Sequence, residues 1–279
     1  MTADPLQPIG RTRVMGVINV TPDSFSDGGQ WMDADAAVKH GLDLVAEGAD
    51  LVDVGGESTR PGAIRIDAAE ELSRIIPVVQ ALAGEGVIVS VDTMRAEVAE
   101  AALAAGARMI NDVSGGRADP DMFAVAAAAG VPTVIMHWRG HSTQMQNLTA
   151  YDHLVPDVIG ELTEQVEAAL AAGVSRDRII VDPGLGFSKT GEQNWTVLSQ
   201  LDRFIGLGFP LLVAASRKRF LGELLGDRAE QRPVEDRESA TVAISTLAAQ
   251  AGVWAVRVHE PKASADAVRV VARIQEELA

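Results

Sequence analysis

Apolar residues along this chain fall into two alternating patterns. Short runs rich in β-branched residues, at Val14–Val20, Leu51–Val54, Val87–Asp92, Met109–Val113, Thr133–His137, Ile179–Asp182, Leu211–Ala215 and Trp254–His259, predict buried strands. Alanine-rich amphipathic stretches at Ala34–Glu47, Ala68–Ala83, Ala96–Ala105, Pro120–Ala129, Val155–Ala172, Gln193–Leu201, Glu238–Gln250 and Pro261–Leu278 predict helices between and after them. Strands with no polar face must be covered on both sides, which points to a parallel sheet under helices. Gly48, Gly106, Gly130, Gly173 and Gly252 follow five of the helices, where a residue without Cβ ends a helix at little cost.

Strand and helix in repeated alternation predict a single-domain (β/α)8 barrel spanning 1–279, with 1–13 as a short lead-in. The alternative is a doubly wound open sheet. Its dinucleotide fingerprint is not met, because Lys189 stands where the third glycine after Gly184 and Gly186 would fall, and no Walker A lysine motif occurs. The connections Thr21–Gln30, Gly55–Ile64 and Ser216–Glu238 read as long loops after strands 1, 2 and 7, on the face where barrels carry their chemistry.

Composition narrows the functional classes. The chain has no cysteine, so disulfides and thiolate metal sites are excluded, and Met1–Arg13 lacks the apolar stretch of a secretory signal; a cytoplasmic address is the expectation. A net charge of −15 repels phosphate backbones and argues against nucleic acid as a partner. The apolar segments Ala124–Trp138 and Phe204–Ser216 are shorter than the roughly 20 residues of a spanning helix, so no membrane partner is expected.

The strand runs end in polar groups. Asp92, Asn111 and Asp182 close three different runs and can converge at the barrel mouth, a donor and acceptor set suited to an aminopyrimidinone edge, although each could equally cap the next helix. Lys218 lies in a basic stretch, Ser216–Gly222, inside an acidic protein. Arg257 and His259 share one face of the last run and suit an anion such as diphosphate. Asn19 ends the first run, and its amide oxygen is an acceptable Mg²⁺ ligand. His137 and His141 are four apart, but Gly140 intervenes and the first ends an extended run, so zinc is not expected.

Taken in order, Asn19–Gly29, Gly55–Gly62, Asp92-Thr93, Asn111–Val113, Asp182–Phe187, Ser216–Arg219 and Arg257–His259 resemble the dihydropteroate synthase family over nearly the whole chain. The resemblance implies a homodimeric, Mg²⁺-dependent barrel enzyme that joins 4-aminobenzoate to (7,8-dihydropterin-6-yl)methyl diphosphate. It implies pterin binding by Asp92, Asn111, Met136, Asp182, Lys218 and Arg257, and diphosphate binding by Asn19, Arg257 and His259. It implies an aminobenzoate pocket of Thr59, Arg60, Pro61, Phe187 and Lys218, Mg²⁺ on Asn19, and a metal-ordering loop carrying Asp27. Asp92, Asp182, Lys218, Arg257 and His259 would carry the catalysis. Arg219 departs from a serine common in the family, and Glu260 from an aspartate. Two other readings stand beside it, a tetrahydrofolate-corrinoid methyltransferase and a non-catalytic pterin-binding homologue. The loop at Thr59–Gly62 and the stretch Ser216–Gly222 speak against the first, and retention of Arg60, Lys218, Arg257 and His259 against the second.

Overall fold

The computed structural model describes residues 4–21, 30–58, 62–63, 65–227 and 230–278, with only the backbone of 30–33. Eight parallel strands alternate with helices: β1 (Arg13–Asn19), α1 (Gln30–Ala46), β2 (Leu51–Gly55), α2 (Ala68–Gly84), β3 (Val89–Asp92), α3 (Ala96–Ala104), β4 (Met109–Asp112), α4 (Met122–Ala129), β5 (Thr133–Met136), α5 (Leu154–Ala171), β6 (Ile179–Asp182), α6 (Gly191–Leu198), α7 (Leu201–Ile205), β7 (Leu212–Val213), α8 (Arg219–Leu225), α9 (Glu238–Ala251), β8 (Ala255–Val258) and α10 (Pro261–Leu278). The hydrogen-bonded order runs β6-β5-β4-β3-β2-β1-β8-β7, and a parallel bridge from Val181 to Leu211 joins the two ends. The sheet therefore closes into a barrel.

Side-chain alternation divides each strand between two environments. Val14, Ile18, Val52, Val54, Val91, Ile110, Ile135, Val181 and Val256 pack outward into the main core shared with the helices. Met15, Leu51, Met109, Val134, Ile180, Leu212 and Ala255 form a separate cluster that fills the barrel interior near the strand N-termini. Two residues further along the same inward faces stand Asp53, Asn111, Met136, Asp182 and Arg257. The interior thus changes from apolar to polar within one step of the pleat.

Two expected features differ. The stretch after β7 is not one long loop: it contains α8 and a short 3₁₀ turn at Val234–Arg237. Inside α8, a side chain at Gly222 would collide with the Arg237 guanidinium 2.5 Å away, so the glycine serves close packing within the helix. The predicted helix Gln193–Leu201 is two, α6 and α7, separated at Ser199 and Gln200.

Candidate active site

The polar end of the barrel interior is tied together by one arginine. From β8, Arg257 donates through Nε to Asp53 Oδ2 at 2.7 Å and through Nη2 to Asp92 Oδ2 at 2.7 Å. Asn111 Nδ2 donates to the same Asp53 oxygen, also at 2.7 Å. Asp92 and Asn111 are direct neighbours in the β3–β4 register, as are Met136 and Asp182 across β5–β6. Asp53 was not anticipated. It sits inside a strand run and not at its end; its signal in the sequence is a single carboxylate in the apolar stretch Leu51–Val54, in phase with inward-facing Leu51.

Burial governs the charges here. It pushes Asp92 up to about 7, against the pull of Arg257 and with further help from Asp53, Glu71 and Asp112. Asp182 is pushed up to about 6 by burial, opposed by the Gly184 N–H, which donates to its Oδ1 at 2.7 Å, and by Lys218, Lys189 and Arg257. Lys218 falls to about 8 through burial and the nearby Arg257, with Asp182 and Asp92 opposing. Ionised and neutral forms of these groups therefore lie close in free energy near neutral pH.

The turn after β6 is shaped by two glycines. At Gly184 (φ +68°) a Cβ would lie 2.4 Å from the His137 carbonyl oxygen, and at Gly186 (φ +78°) one would lie 2.9 Å from Lys218 Cδ. The second close approach lets the lysine stem lie over the turn and places Nζ 4.3 Å from the centre of the Phe187 ring. Phe187 and Met136 belong to one buried apolar cluster with Met94, Val113, Trp138 and Met145, a wall above the polar ring.

Of the three consecutive basic residues after β7, only Lys218 turns inward. Arg217 pairs with Glu260 at 2.8 Å and Arg219 with Glu223 at 2.8 Å. Both departures from the family pattern, Arg219 and Glu260, thus form outward-lying ion pairs. His259 Nδ1 lies 3.0 Å from Ser216 Oγ, which links the ends of β7 and β8. His137 is buried and bonded to Glu161 and Lys189, whereas His141 meets the edge of the Trp138 ring. The connection after β2 is anchored at its base by Arg95, which bonds Glu57 at 2.6 Å and also reaches Glu71 and the Ile66 carbonyl. Asp27, Thr59, Arg60 and Pro61 lie outside the described residues.

Residues 15–259 match the family described as pterin binding enzyme. The chain is 56% identical to the dihydropteroate synthase of Mycobacterium leprae (strain TN), over 93% of this chain and 92% of that protein. The chain belongs to the dihydropteroate synthase family. The solved structure of the Xanthomonas albilineans synthase with 4-aminobenzoic acid superposes with a TM-score of 0.88 at 46% identity, covering 95% of this chain and 93% of that one. The Xanthomonas albilineans synthase in complex with 7,8-dihydropteroate gives 0.86 at 42% identity, covering 96% and 95%.

The mouth of the barrel brings together groups of several chemical kinds. Asp92, Asn111, Met136, Asp182, Phe187, Lys218, Arg257 and His259 all gather there, with Asn19 half-buried at the end of β1. Among the described residues no group of three or more His, Asp or Glu could enclose a metal ion. A single amide oxygen at Asn19 fits an ion that keeps water and substrate phosphate oxygens as its remaining ligands, as Mg²⁺ does.

Proposed function

We propose that the chain joins 4-aminobenzoate to (7,8-dihydropterin-6-yl)methyl diphosphate, forming 7,8-dihydropteroate and releasing diphosphate, and that the ring of strand-end groups at the barrel mouth carries this transfer. The observation that carries the reading is the inward-facing set Asp92, Asn111 and Asp182 with Lys218 beside it, in a chain of this family. Asp182 uses one carboxylate oxygen on its own turn, and the other is the acceptor for adjacent N–H groups of the pterin. Asn111, held by Asp53, supplies a fixed amide, and Lys218 donates to the ring.

Transfer proceeds by departure of the leaving group before attack. The C–O bond to diphosphate breaks with its electron pair, the resulting pterin-stabilised cation sits beside Asp92 and Asp182, and the neutral arylamine forms the new C–N bond and then loses a proton. No strong base is required, so the protein's task is to hold the partners in line and match developing charge. Arg257 and His259 bind the diphosphate. Two of the five N–H donors of Arg257 serve Asp53 and Asp92, and the rest are available to an anion or a ring face. Asn19 would hold Mg²⁺, with Asp27 helping to order it, and the ion would supply further neutralisation of the leaving anion. Thr59, Arg60 and Pro61, with Phe187 and the stem of Lys218, form the aminobenzoate pocket.

A second copy of the chain is the proposed protein partner. α9 and α10 pack side by side and expose Leu247 (64%), Val270 (60%) and Ile274 (56%), which favours covering this surface in a homodimer. The lack of cysteine suits the cytoplasm, and no helix among the described residues is long and apolar enough to cross a membrane. The test is an assay of the purified chain with pterin diphosphate, 4-aminobenzoate and Mg²⁺. Formation of dihydropteroate is expected, and pterin binding without turnover would instead favour the non-catalytic homologue.

A further inference from the structure

Behind the turn after β6 lies a buried polar cluster that the transfer itself does not use. Lys189 is 3% exposed, and its Nζ lies 2.9 Å from His137 Nδ1, 3.1 Å from the Gly184 carbonyl oxygen and 3.2 Å from that of Phe187. Burial lowers Lys189 to about 7, with Asp182 opposing; in its protonated form the ammonium has three protons, and these are three acceptors. With Nδ1 accepting, His137 carries its proton on Nε2 and donates to Glu161 Oε2 at 3.0 Å. Burial and the neighbouring Lys189 lower His137 to about 4, so it is neutral. Partial burial would raise Glu161, but the bonds from Arg139 and His137 outweigh it and hold this carboxylate well below its usual range. With Lys189 protonated, cation, neutral ring, anion and the Arg139 cation alternate outward from the turn to α5.

Two further features bear on the same turn. Ser188 is buried in the left-handed region (φ 48°), a conformation that costs a residue with a Cβ and persists only where the surroundings impose it. Its carbonyl accepts from Tyr151 Oη at 2.8 Å, and the Tyr151 ring lies 3.7 Å from the Arg139 guanidinium, which closes the cluster on itself. The strained residue is the one that turns Lys189 inward. On its other side the turn carries Asp182 at one end and Phe187, beneath Lys218, at the other.

We propose that Lys189 is a positioning residue of the transfer: by gripping the Gly184 and Phe187 carbonyls from behind, with its third proton on His137, it sets the spacing between the Asp182 carboxylate and the Phe187 ring, and hence between the two substrates. The inference rests on the reading of the site given above. Lys189 touches no substrate and acts through the turn. Misplacement of groups by even a fraction of the turn's width weakens binding and alignment together.

The test is calorimetry with pteroic acid, alongside steady-state kinetics, on the full chain. Lys189→Met is expected to weaken pteroic acid binding about tenfold or more and to lower kcat, with the far-ultraviolet circular dichroism unchanged. Because the chain has no cysteine, Lys189→Cys can be alkylated uniquely with 2-bromoethylamine while unfolded and then refolded, which restores an amine at nearly the same reach. Recovery of affinity and kcat on alkylation is expected. Undiminished binding by Lys189→Met, or a loss that the restored amine does not repair, overturns the proposal. Should Lys189→Met fail to fold, Glu161→Gln decides: a smaller loss of pteroic acid affinity is expected, and wild-type affinity overturns it. Failure of the unaltered chain to bind pteroic acid would strike the reading of the site itself, whereas normal binding by the variants strikes only the role of Lys189.

Discussion

The two ends of the barrel interior are built from the same strands one pleat step apart, yet they do opposite things. Near the strand N-termini, Met15, Leu51, Met109, Val134, Ile180, Leu212 and Ala255 exclude water and need no partners. One step on, Asp53, Asn111 and Asp182 are almost as deeply placed, with Arg257 half-buried beside them, but exist in mutual hydrogen bonds or with one acceptor left over from their own turn. Burying apolar groups stabilises the fold, whereas burying the carboxylates costs free energy that only partners return. The elevated Asp92 and Asp182 register that cost, which is the usual signature of a site organised for a ligand and not for stability alone.

The largest expected consequence falls on the polar end. Asp182→Ala removes the acceptor offered to adjacent pterin N–H groups and should weaken pteroic acid binding by roughly a hundredfold or more, at about 3 kcal/mol for a charge-assisted pair. Calorimetry checks it, and an unchanged affinity would move the pterin elsewhere in the mouth.

A smaller effect is expected from pH. Folded-state values of about 7 for Asp92 and about 6 for Asp182 lie above the ordinary 3.8, so both carboxylates gain protons as pH falls through that interval. Each proton removes an acceptor for pterin N–H groups, and affinity should fall at least about tenfold between pH 8 and pH 5. Stability runs the other way: the protonated native forms are the less costly ones, so the contribution of these groups to stability declines as pH rises from about 4 to 7. A pterin affinity that is flat across this range, measured by calorimetry, would show that the carboxylates do not contact the ring.

How much of this was legible in the chain depends on what each residue's signal was. The barrel and its polar rim followed from periodicity, because inward residues of a parallel strand announce themselves by position within a short apolar run. Asp53 was missed because a residue inside such a run reads as core, and its role depends on Arg257 arriving from a strand 204 positions away. Lys189 was seen only as a missing glycine. Its burial depends on the backbone of Ser188 and on His137 from β5, a coincidence of three elements that no local pattern encodes. α8 lies within the polar stretch Ser216–Glu238 that reads as a loop, and the place of Gly222 inside the helix is explained only by Arg237, fifteen residues on. Conversely, Arg217 and Arg219 looked like part of a basic site and were resolved only when Glu260 and Glu223 were seen to take them.

The division between the two ends is tested most directly by measuring melting temperature and pteroic acid affinity together for Asp92→Asn and Met109→Ala. Asp92→Asn removes a costly buried charge, so at pH 8 its melting temperature should be held or raised by roughly 2–4 °C while pterin affinity falls. Met109 is fully buried in the lower cluster, so Met109→Ala should cost about 2–5 kcal/mol of stability and leave pterin affinity unchanged. The opposite pairing, a destabilised Asp92→Asn that still binds pteroic acid normally or a stable Met109→Ala that does not, would contradict the assignment of stability to one end of the barrel and ligand binding to the other.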